Sequence, residues 1–139
     1  MKRVNLFVAN DQEDRALSGE HNLIKAAKAL HRFGPELVVV KKGEHGVLFY
    51  CKQFMFSFPA YPVEHVIDPT GAGDTFAGGL MGYLSKNNRL NETALRKAVM
   101  YATTLASFNV EGFGMAKTAD LNLAKVNNRM KKLAQFITP

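Results

Sequence analysis

The sequence predicts an α/β protein, in which strands alternate with helices along the chain and form a mainly parallel sheet. Short apolar runs rich in β-branched residues, such as Leu37 to Val40, are typical of buried strands. Between such runs, apolar residues recur at helical spacing, as they do from Asn22 to Arg32. Glycine and proline punctuate the boundaries, and Gly34 with Pro35 ends that helix.

The same criteria place the remaining elements in order. Strands are predicted at Val4 to Ala9, Leu37 to Val40, Val47 to Cys51, Phe54 to Phe58 and Val63 to Ile67. Helices are predicted at Asn10 to Leu17, Asn22 to Arg32, about Thr75 to Ser85, onward from the cap Asn91, and about Asp120 to Phe136. At 139 residues, the chain 1–139 is expected to form a single domain.

Composition narrows the class of protein. Apolar residues make up 47% and charged residues 22%, which is typical of a globular protein. The net charge of +6 favours anionic ligands, but its densest run, Arg129 to Lys132, lies on the last predicted helix and is best interpreted as a solvated face. The charge alone does not decide between nucleotides and nucleic acid, but no aromatic-rich basic strand resembles an RNA-binding surface, so nucleic acid is not expected. The single Cys51 excludes an intrachain disulfide, and the short apolar start predicts neither a signal peptide nor a membrane span, so a cytoplasmic protein is expected.

The most unusual segment runs from Asp68 to Gly79. A predicted strand leads into the small residues Gly71, Ala72 and Gly73, and a helix is predicted to begin at about Thr75. Unpaired N–H groups and the positive end of the helix dipole would attract an anion there. Asp74 beside such an anion site is then either a catalytic base or an ordinary helix N-cap.

A second polar group follows the first predicted strand. Asn10 and Glu13 lie at its carboxyl end, where ligands bind in open α/β sheets. They could reach a metal ion or its bound waters. They could equally form a capping box at the start of the next helix, and the sequence leaves both interpretations open.

Several catalytic signatures are absent. The sequence contains no GxxxxGK[ST] loop, no GxGxxG motif and no GxSxG elbow, and its four histidines lack metal-ligand spacing. These absences narrow the choice, and the positive case is for phosphoryl transfer to an alcohol, which needs donors on the transferred group and a carboxylate that accepts the hydroxyl proton. The N–H groups of Gly71, Ala72 and Gly73 would supply the donors, and Asp74 would be the base.

These motifs carry a family resemblance. DPTGAGDTFAGG at residues 68–79 resembles the second signature of the PfkB, or ribokinase-like, family of carbohydrate and nucleoside kinases. NDQE at 10–13 resembles the family's NxxE motif, and VVVKKGEHGVLF at 38–49 resembles its nucleotide-side strand and turn. The resemblance covers essentially the whole chain and implies a ribokinase-like, Rossmann-like sheet flanked by helices.

The resemblance also implies roles for single residues. Asp74 would be the catalytic base, Gly71, Ala72 and Gly73 the anion hole, and Asn10 with Glu13 would organise Mg²⁺ through water. ATP would lie against two segments, represented by Lys42, Gly43 and Gly46 and by Asn109, Gly112 and Gly114. Asp68 and Thr70 resemble a monovalent-cation site, for K⁺, although Pro69 and Lys41 replace the threonines of many relatives.

The length of the chain departs from the family. Members are about twice as long, and their N-terminal half supplies most acceptor contacts and a β lid. The chain therefore resembles the C-terminal nucleotide-binding half, with the N-terminal half and lid absent. We expect an ATP-dependent kinase acting on a sugar or nucleoside hydroxyl, or alternatively a non-catalytic nucleotide-binding module that needs a partner chain. Surface exposed by the missing half would favour self-association.

Overall fold

The computed structural model describes residues 4–87 and 90–138, and these fall into two compact units with their boundary between Ala60 and Tyr61. Within the described residues, the first unit contains four strands and two α-helices, and the second contains three α-helices. None of the helices in this part of the chain combines the length and apolar character needed to cross a membrane.

The first unit is a mixed sheet with two helices. The strands pair in the order β1-β2-β3-β4. β1 and β2 are parallel, whereas β2 with β3 and β3 with β4 are antiparallel. The elements are β1 (Leu6–Asn10), α1 (Asp11–Ser18), α2 (Leu23–Arg32), β2 (Leu37–Lys41), β3 (Val47–Cys51) and β4 (Met55–Phe58).

The predicted α/β class is confirmed, but the prediction of a mainly parallel sheet is wrong. Only a few residues connect β2 to β3 and β3 to β4. A parallel pair requires a crossover of about a dozen residues, so connections this short can only form hairpins. The helical crossover through α1 and α2 is long enough to bring β1 and β2 together in parallel.

Alternating side chains give this sheet two buried faces. Val38, Val40 and Leu48 pack with Ala27 and Leu30 of α2 in one apolar cluster. On the other face, side chains such as Val39 and Phe49 are also fully buried. Burial of a side chain of the size of valine, leucine or phenylalanine stabilises the fold by about 1.5–3 kcal/mol. Because both faces of the sheet are buried, successive residues of these strands are all apolar.

The second unit consists of α3 (Ala72–Lys86), α4 (Glu92–Asn109) and α5 (Leu123–Ile137). α4 packs against both of the other helices. The predicted cap Asn91 is confirmed, since its side chain accepts a hydrogen bond from the Ala94 N–H at 2.9 Å. Asn122 caps α5 in the same way.

The strand predicted from Val63 to Ile67 is not formed. The N–H groups of Ile67 and Asp68 donate to the Val110 carbonyl at 2.8 and 3.3 Å, in place of a strand ladder. β-Branched residues favour a strand only where a neighbouring strand can pair with them, and the described part of this unit contains none. The side chain of Ile67 is accordingly 51% exposed.

The small residues in α3 allow close packing of α3 on α4. A Cβ atom added at Gly79 would lie 2.8 Å from Leu105 Cδ1 and 3.2 Å from Ala102 Cα. At Gly78, one position earlier, an added Cβ would have no neighbour within 4 Å. The packing of α3 on α4 therefore requires a glycine at position 79 but not at position 78.

We expect Gly79→Ala to destabilise the protein and Gly78→Ala to stabilise it. The first substitution pushes α4 away, whereas the second gains helix propensity of up to about 1 kcal/mol. Thermal unfolding followed by circular dichroism would measure both. A stabilised Gly79→Ala variant would contradict the close packing, with Gly78→Ala as the matched control for propensity.

Candidate active site

The start of α3 provides free hydrogen-bond donors. Gly71 caps the helix in the left-handed region, with φ 80° and ψ −5°, and no side chain occupies the usual capping position. The first helical bond runs from the Thr75 N–H to the Gly71 carbonyl at 2.8 Å, and the Ala72 N–H donates to Pro69. Among the described residues, the N–H groups of Gly73 and Asp74 have no acceptor. Two donors at the positive end of a 15-residue helix can therefore bind an anion.

The helix begins three residues earlier than predicted, at Ala72. The interpretation of Asp74 as the N-cap is consequently wrong, because Asp74 is the third residue of the helix. Its side chain is exposed and has no hydrogen-bonding or ionic partner within residues 4–87 and 90–138. A carboxylate that the protein leaves unpaired beside unpaired donors is available to a ligand.

Asn109, the last residue of α4, connects the two sides of this turn. Its side chain is 3% exposed. The amide Nδ2 donates to the Thr70 carbonyl at 2.8 Å, and the amide Oδ1 accepts from the Thr75 hydroxyl at 3.1 Å. Sequence analysis placed Asn109 among the nucleotide contacts, whereas the structure directs its side chain to Thr70 and Thr75.

Asp68 is held by the loop that it begins. Its Oδ1 accepts from the Thr70 N–H at 2.9 Å. Hydrogen bonds from the Thr70 N–H and hydroxyl, with a further one from the Gly114 N–H, keep the pKa of Asp68 below its ordinary value. The structure thus brings together Asp68 and Thr70, for which a monovalent cation was predicted, and Gly114, which was predicted to lie against ATP. That cation remains a prediction.

The segment after α4 is anchored by α5. Arg129 donates through Nη2 to both carboxylate oxygens of Glu111, at 3.1 and 2.9 Å, and its guanidinium lies 3.6 Å from the centroid of the Phe108 ring. A paired, stacked arginine of this kind fixes both groups. With only 17% of its side chain exposed, Arg129 does not belong to the solvated face predicted for Arg129 to Lys132. Gly112 lies under the Lys117 side chain, where an added Cβ would be 2.6 Å from Lys117 Cγ. Beside these residues is a cavity of about 390 Å³, lined by Phe108, Glu111, Ala116, Lys117, Asp120, Leu121 and Lys125.

In the first unit, Asn10 and Glu13 form the capping box that was one of the two predicted alternatives. The Asn10 side chain accepts from the Glu13 N–H at 2.8 Å, and the Asn10 N–H donates to Glu13 Oε2 at 2.9 Å. Glu13 is exposed, so its second carboxylate oxygen can still bind the water of a hydrated ion. Capping and a water-mediated magnesium contact are therefore compatible. Within the described residues, no cluster of three His, Cys, Asp or Glu side chains could hold a metal directly.

The predicted turn at Lys42, Gly43 and Gly46 is formed as a single 3₁₀ turn over Gly43–His45. The Lys42 N–H donates to the Gly46 carbonyl at 2.8 Å. At Gly46, with φ 84°, an added Cβ would lie 2.1 Å from the Phe58 carbonyl oxygen, so no other residue fits. The Lys42 ammonium reaches Ser57 Oγ at 3.4 Å. The structure confirms the turn, and its nucleotide contact remains a prediction.

Asp14 was missed by sequence analysis. Its side chain is 0% exposed, and neither carboxylate oxygen has a hydrogen-bond partner in the described part of the chain. Burial, reinforced by repulsion from Glu13 and Asp11, raises the pKa of Asp14 to about 7, against which Lys41 acts weakly. Asp14 lies four residues after Asn10, on the face of α1 that turns inward, and this spacing could have predicted its burial. Because Asp11 and Glu13 beside it are also acidic, the segment has the composition of an exposed helix start.

The family is shown by comparison with known proteins. A sequence model described as pfkB family carbohydrate kinase matches residues 1–121. This chain therefore belongs to the PfkB family of carbohydrate kinases. It is 40% identical over 94 residues to a cytidine kinase of Thermococcus kodakarensis and 33% identical over 97 residues to fructokinase-2 of Oryza sativa. These matches cover 66% and 68% of this chain.

Solved structures show the same fold. The ribokinase of Thermotoga maritima superposes with a TM-score of 0.80 at 30% identity, over 94% of this chain. Aminoimidazole riboside kinase from Salmonella enterica, solved with aminoimidazole riboside and an ATP analogue, gives 0.79 at 30% identity over 91%. The predicted ribokinase-like fold is confirmed.

The chain is much shorter than these relatives. It spans 34% of the cytidine kinase and 29% of the fructokinase. It spans 43% of the ribokinase chain and 42% of the riboside kinase chain.

We expect the stability of the protein to fall as pH rises, because of Asp14. With a folded-state pKa of about 7 and an ordinary value of 3.8, the folded state holds a proton that the unfolded state releases between these values. The free energy of unfolding is therefore highest below about pH 4 and falls as the pH rises towards 7. Above pH 7 it is lower by on the order of 4 kcal/mol.

Urea unfolding of the wild type and Asp14→Asn at pH 5, 6, 7 and 8 would test this expectation. The variant cannot ionise at that position, so its free energy of unfolding should depend less steeply on pH. Glu36→Gln, which removes an exposed carboxylate from the same unit, should retain the wild-type slope. Equal slopes for the wild type and Asp14→Asn would contradict the raised pKa.

Proposed function

We propose that this chain is the C-terminal, nucleotide-binding part of an ATP-dependent kinase that phosphorylates a hydroxyl group of a sugar or nucleoside. The observation that carries the proposal is the start of α3. There the unpaired N–H groups of Gly73 and Asp74 lie beside the unpaired carboxylate of Asp74. Donors and a base within one helical turn are what phosphoryl transfer to an alcohol requires.

In this proposal, Asp74 accepts the proton of the acceptor hydroxyl while the hydroxyl oxygen attacks the γ-phosphorus of ATP. The bond between that phosphorus and the bridging oxygen breaks, and ADP leaves. The N–H groups of Gly71, Ala72 and Gly73, at the positive helix end, hold the oxygens of the transferred group; the Ala72 N–H would exchange its 3.2 Å bond to Pro69 for the ligand. The general-base contribution would be a factor of about 10² to 10⁴.

Magnesium, when bound, would neutralise charge on the phosphates, and Asn10 with Glu13 would organise it through water. The exposed second oxygen of Glu13 supports this role. Asp68 and Thr70 would hold a monovalent cation such as K⁺, which the ionised state of Asp68 supports. ATP would contact Lys42, Gly43 and Gly46 and, after α4, Gly112 and Gly114, where Lys117 and Lys125 add positive charge at the cavity. The buried Asn109 side chain, bound to Thr70 and Thr75, is not free for a direct contact with the nucleotide.

The relatives support the general chemistry. By name they act on different acceptors, namely cytidine, fructose, ribose and aminoimidazole riboside. Solved relatives are described with an ATP analogue, with ADP and calcium, or with ATP and magnesium. Since relatives with different acceptors are all similar to this segment, their common reaction is the better guide to its function.

A second candidate function is a nucleotide-binding module that becomes active only with a partner chain. The specific observation in its favour is that the assigned residues of this chain, at the start of α3 and at the turn over Gly43–His45, concern the nucleotide and the transferred phosphate, and none but the base Asp74 is assigned to the acceptor. Transfer of labelled γ-phosphate by the isolated chain to ribose, fructose, cytidine or aminoimidazole riboside would exclude this candidate. Binding of MgATP without any transfer would support it.

We expect MgATP to raise the melting temperature of the isolated chain, because a ligand that binds only the folded state stabilises it by about 2.7 kcal/mol at 100 times its Kd. A scan with MgATP, MgADP and buffer would measure the effect. An unchanged melting temperature at millimolar MgATP would count against both candidate functions.

We expect Asp74→Asn to lower phosphoryl transfer by about 10² to 10⁴ while MgATP binding is retained. Transfer would be measured in the most complete form of the protein that shows activity. Glu64→Gln is the matched control, because Glu64 is exposed, lies in the same unit and precedes the motif. Activity of Asp74→Asn within twofold of the wild type would remove Asp74 as the base.

A further inference from the structure

We propose that Asn109 is a positioning residue whose buried amide fixes the turn from Thr70 to Thr75 and thereby sets the binding of a terminal phosphate. The phosphate part rests on the proposed function. The structural part, that Asn109 holds the turn, stands on the contacts alone.

The two ends of the amide bind opposite sides of the turn. Nδ2 donates to the Thr70 carbonyl, immediately before Gly71, and Oδ1 accepts from the Thr75 hydroxyl, immediately after Asp74. The donors left free for an anion, at Gly73 and Asp74, lie between these two attachment points. One side chain therefore connects the two ends of the segment that contains the proposed anion hole.

This turn needs an external attachment. Gly71 and Gly73 are glycines, which sample more backbone conformations than other residues. α3 also lacks the side-chain cap that usually fixes a helix start. The amide of Asn109 lies within 3.7 Å of the position of a Cβ at Gly71, so it contacts the residue with the least intrinsic restraint.

A second set of hydrogen bonds, to the Val110 carbonyl, restricts the expected effect of losing the Asn109 amide to the Thr70 to Thr75 turn. The Val110 carbonyl accepts from the N–H groups of Ile67 and Asp68, so the chain before the turn stays attached to α4 without the Asn109 side chain. Loss of the amide should release the Thr70 to Thr75 turn and leave the packing of α3 on α4 in place. The expected defect is therefore in the geometry of the donors and not in the fold.

Asn109→Leu tests the proposal, because leucine has a similar shape and neither donor nor acceptor. Thr104→Val is the matched control. Thr104 is a fully buried residue of α4 whose hydroxyl donates to the Met100 carbonyl, so the control loses a buried hydrogen bond in the same helix away from the turn. Both variants would be made in the full chain, and folding would be checked by circular dichroism.

The first measurement is hydrogen–deuterium exchange over residues 68–76. We expect exchange at Ala72 and Thr75, whose N–H groups bond to Pro69 and Gly71, to rise roughly five- to tenfold in Asn109→Leu and to stay at the wild-type rate in Thr104→Val. An unchanged rate in Asn109→Leu would overturn the proposal, whether or not the chain binds nucleotide.

The second measurement is the ratio of the Kd values for MgADP and MgATP, by calorimetry. Asn109→Leu should reduce the preference for ATP roughly five- to tenfold and leave MgADP binding nearly unchanged. Equal loss of both nucleotides would overturn the role in terminal-phosphate binding. If the wild type shows no preference for ATP, the proposed function loses its phosphate contact, and the exchange measurement still decides the role of Asn109.

Two further variants keep the test decisive if Asn109→Leu does not fold. Thr75→Val removes only the contact at Oδ1, and Asn109→Asp retains that acceptor while losing the donor to the Thr70 carbonyl. Each should increase exchange over residues 68–76 by less than the full effect. Wild-type exchange in both variants would overturn the proposal.

Discussion

The hydrogen bonds between the end of α4 and the loop before α3 are the constraint on which the candidate active site depends. Asn109 binds Thr70 and Thr75 through its side chain, and Val110 binds Ile67 and Asp68 through its carbonyl. Together they hold a glycine-rich turn that has no side-chain cap of its own. The close packing of Gly79 on α4 keeps the two helices near enough for these bonds to form.

The same turn combines a site for an anion with the carboxylate of Asp74, which would repel that anion. Free N–H donors and the helix dipole favour an anion, and the dipole also stabilises the carboxylate of Asp74 in the first turn of α3. A phosphate and a carboxylate this close would repel each other unless a cation or a transferred proton intervenes. Phosphoryl transfer supplies both conditions, which is why the arrangement supports a kinase better than a simple anion-binding site.

The first unit shows a different balance, between burial and charge. Its sheet is stabilised by apolar side chains on both faces, including Val39 and Phe49. The buried, unpaired Asp14 opposes that stabilisation, and its raised pKa is the means by which the cost is reduced, since a neutral carboxyl is cheaper to bury than a charged one. It lies beside the capping box of Asn10 and Glu13, which keeps its own hydrogen bonds complete.

Local chemistry in the sequence determined the α/β class, the helix from the cap Asn22 to the stop at Gly34, the positions of the four strands, the capping box and an anion-attracting helix start after Gly71. These features depend on hydrogen bonds and side-chain periodicity within a few residues, so composition and spacing reveal them. Tertiary structure alone decided three others: the absence of a strand from Val63 to Ile67, the burial of Asp14, and the partners of Asn109. Asn109 contacts residues 39 and 34 positions away along the chain, and pairing over such distances is set by how helices pack and not by local preference.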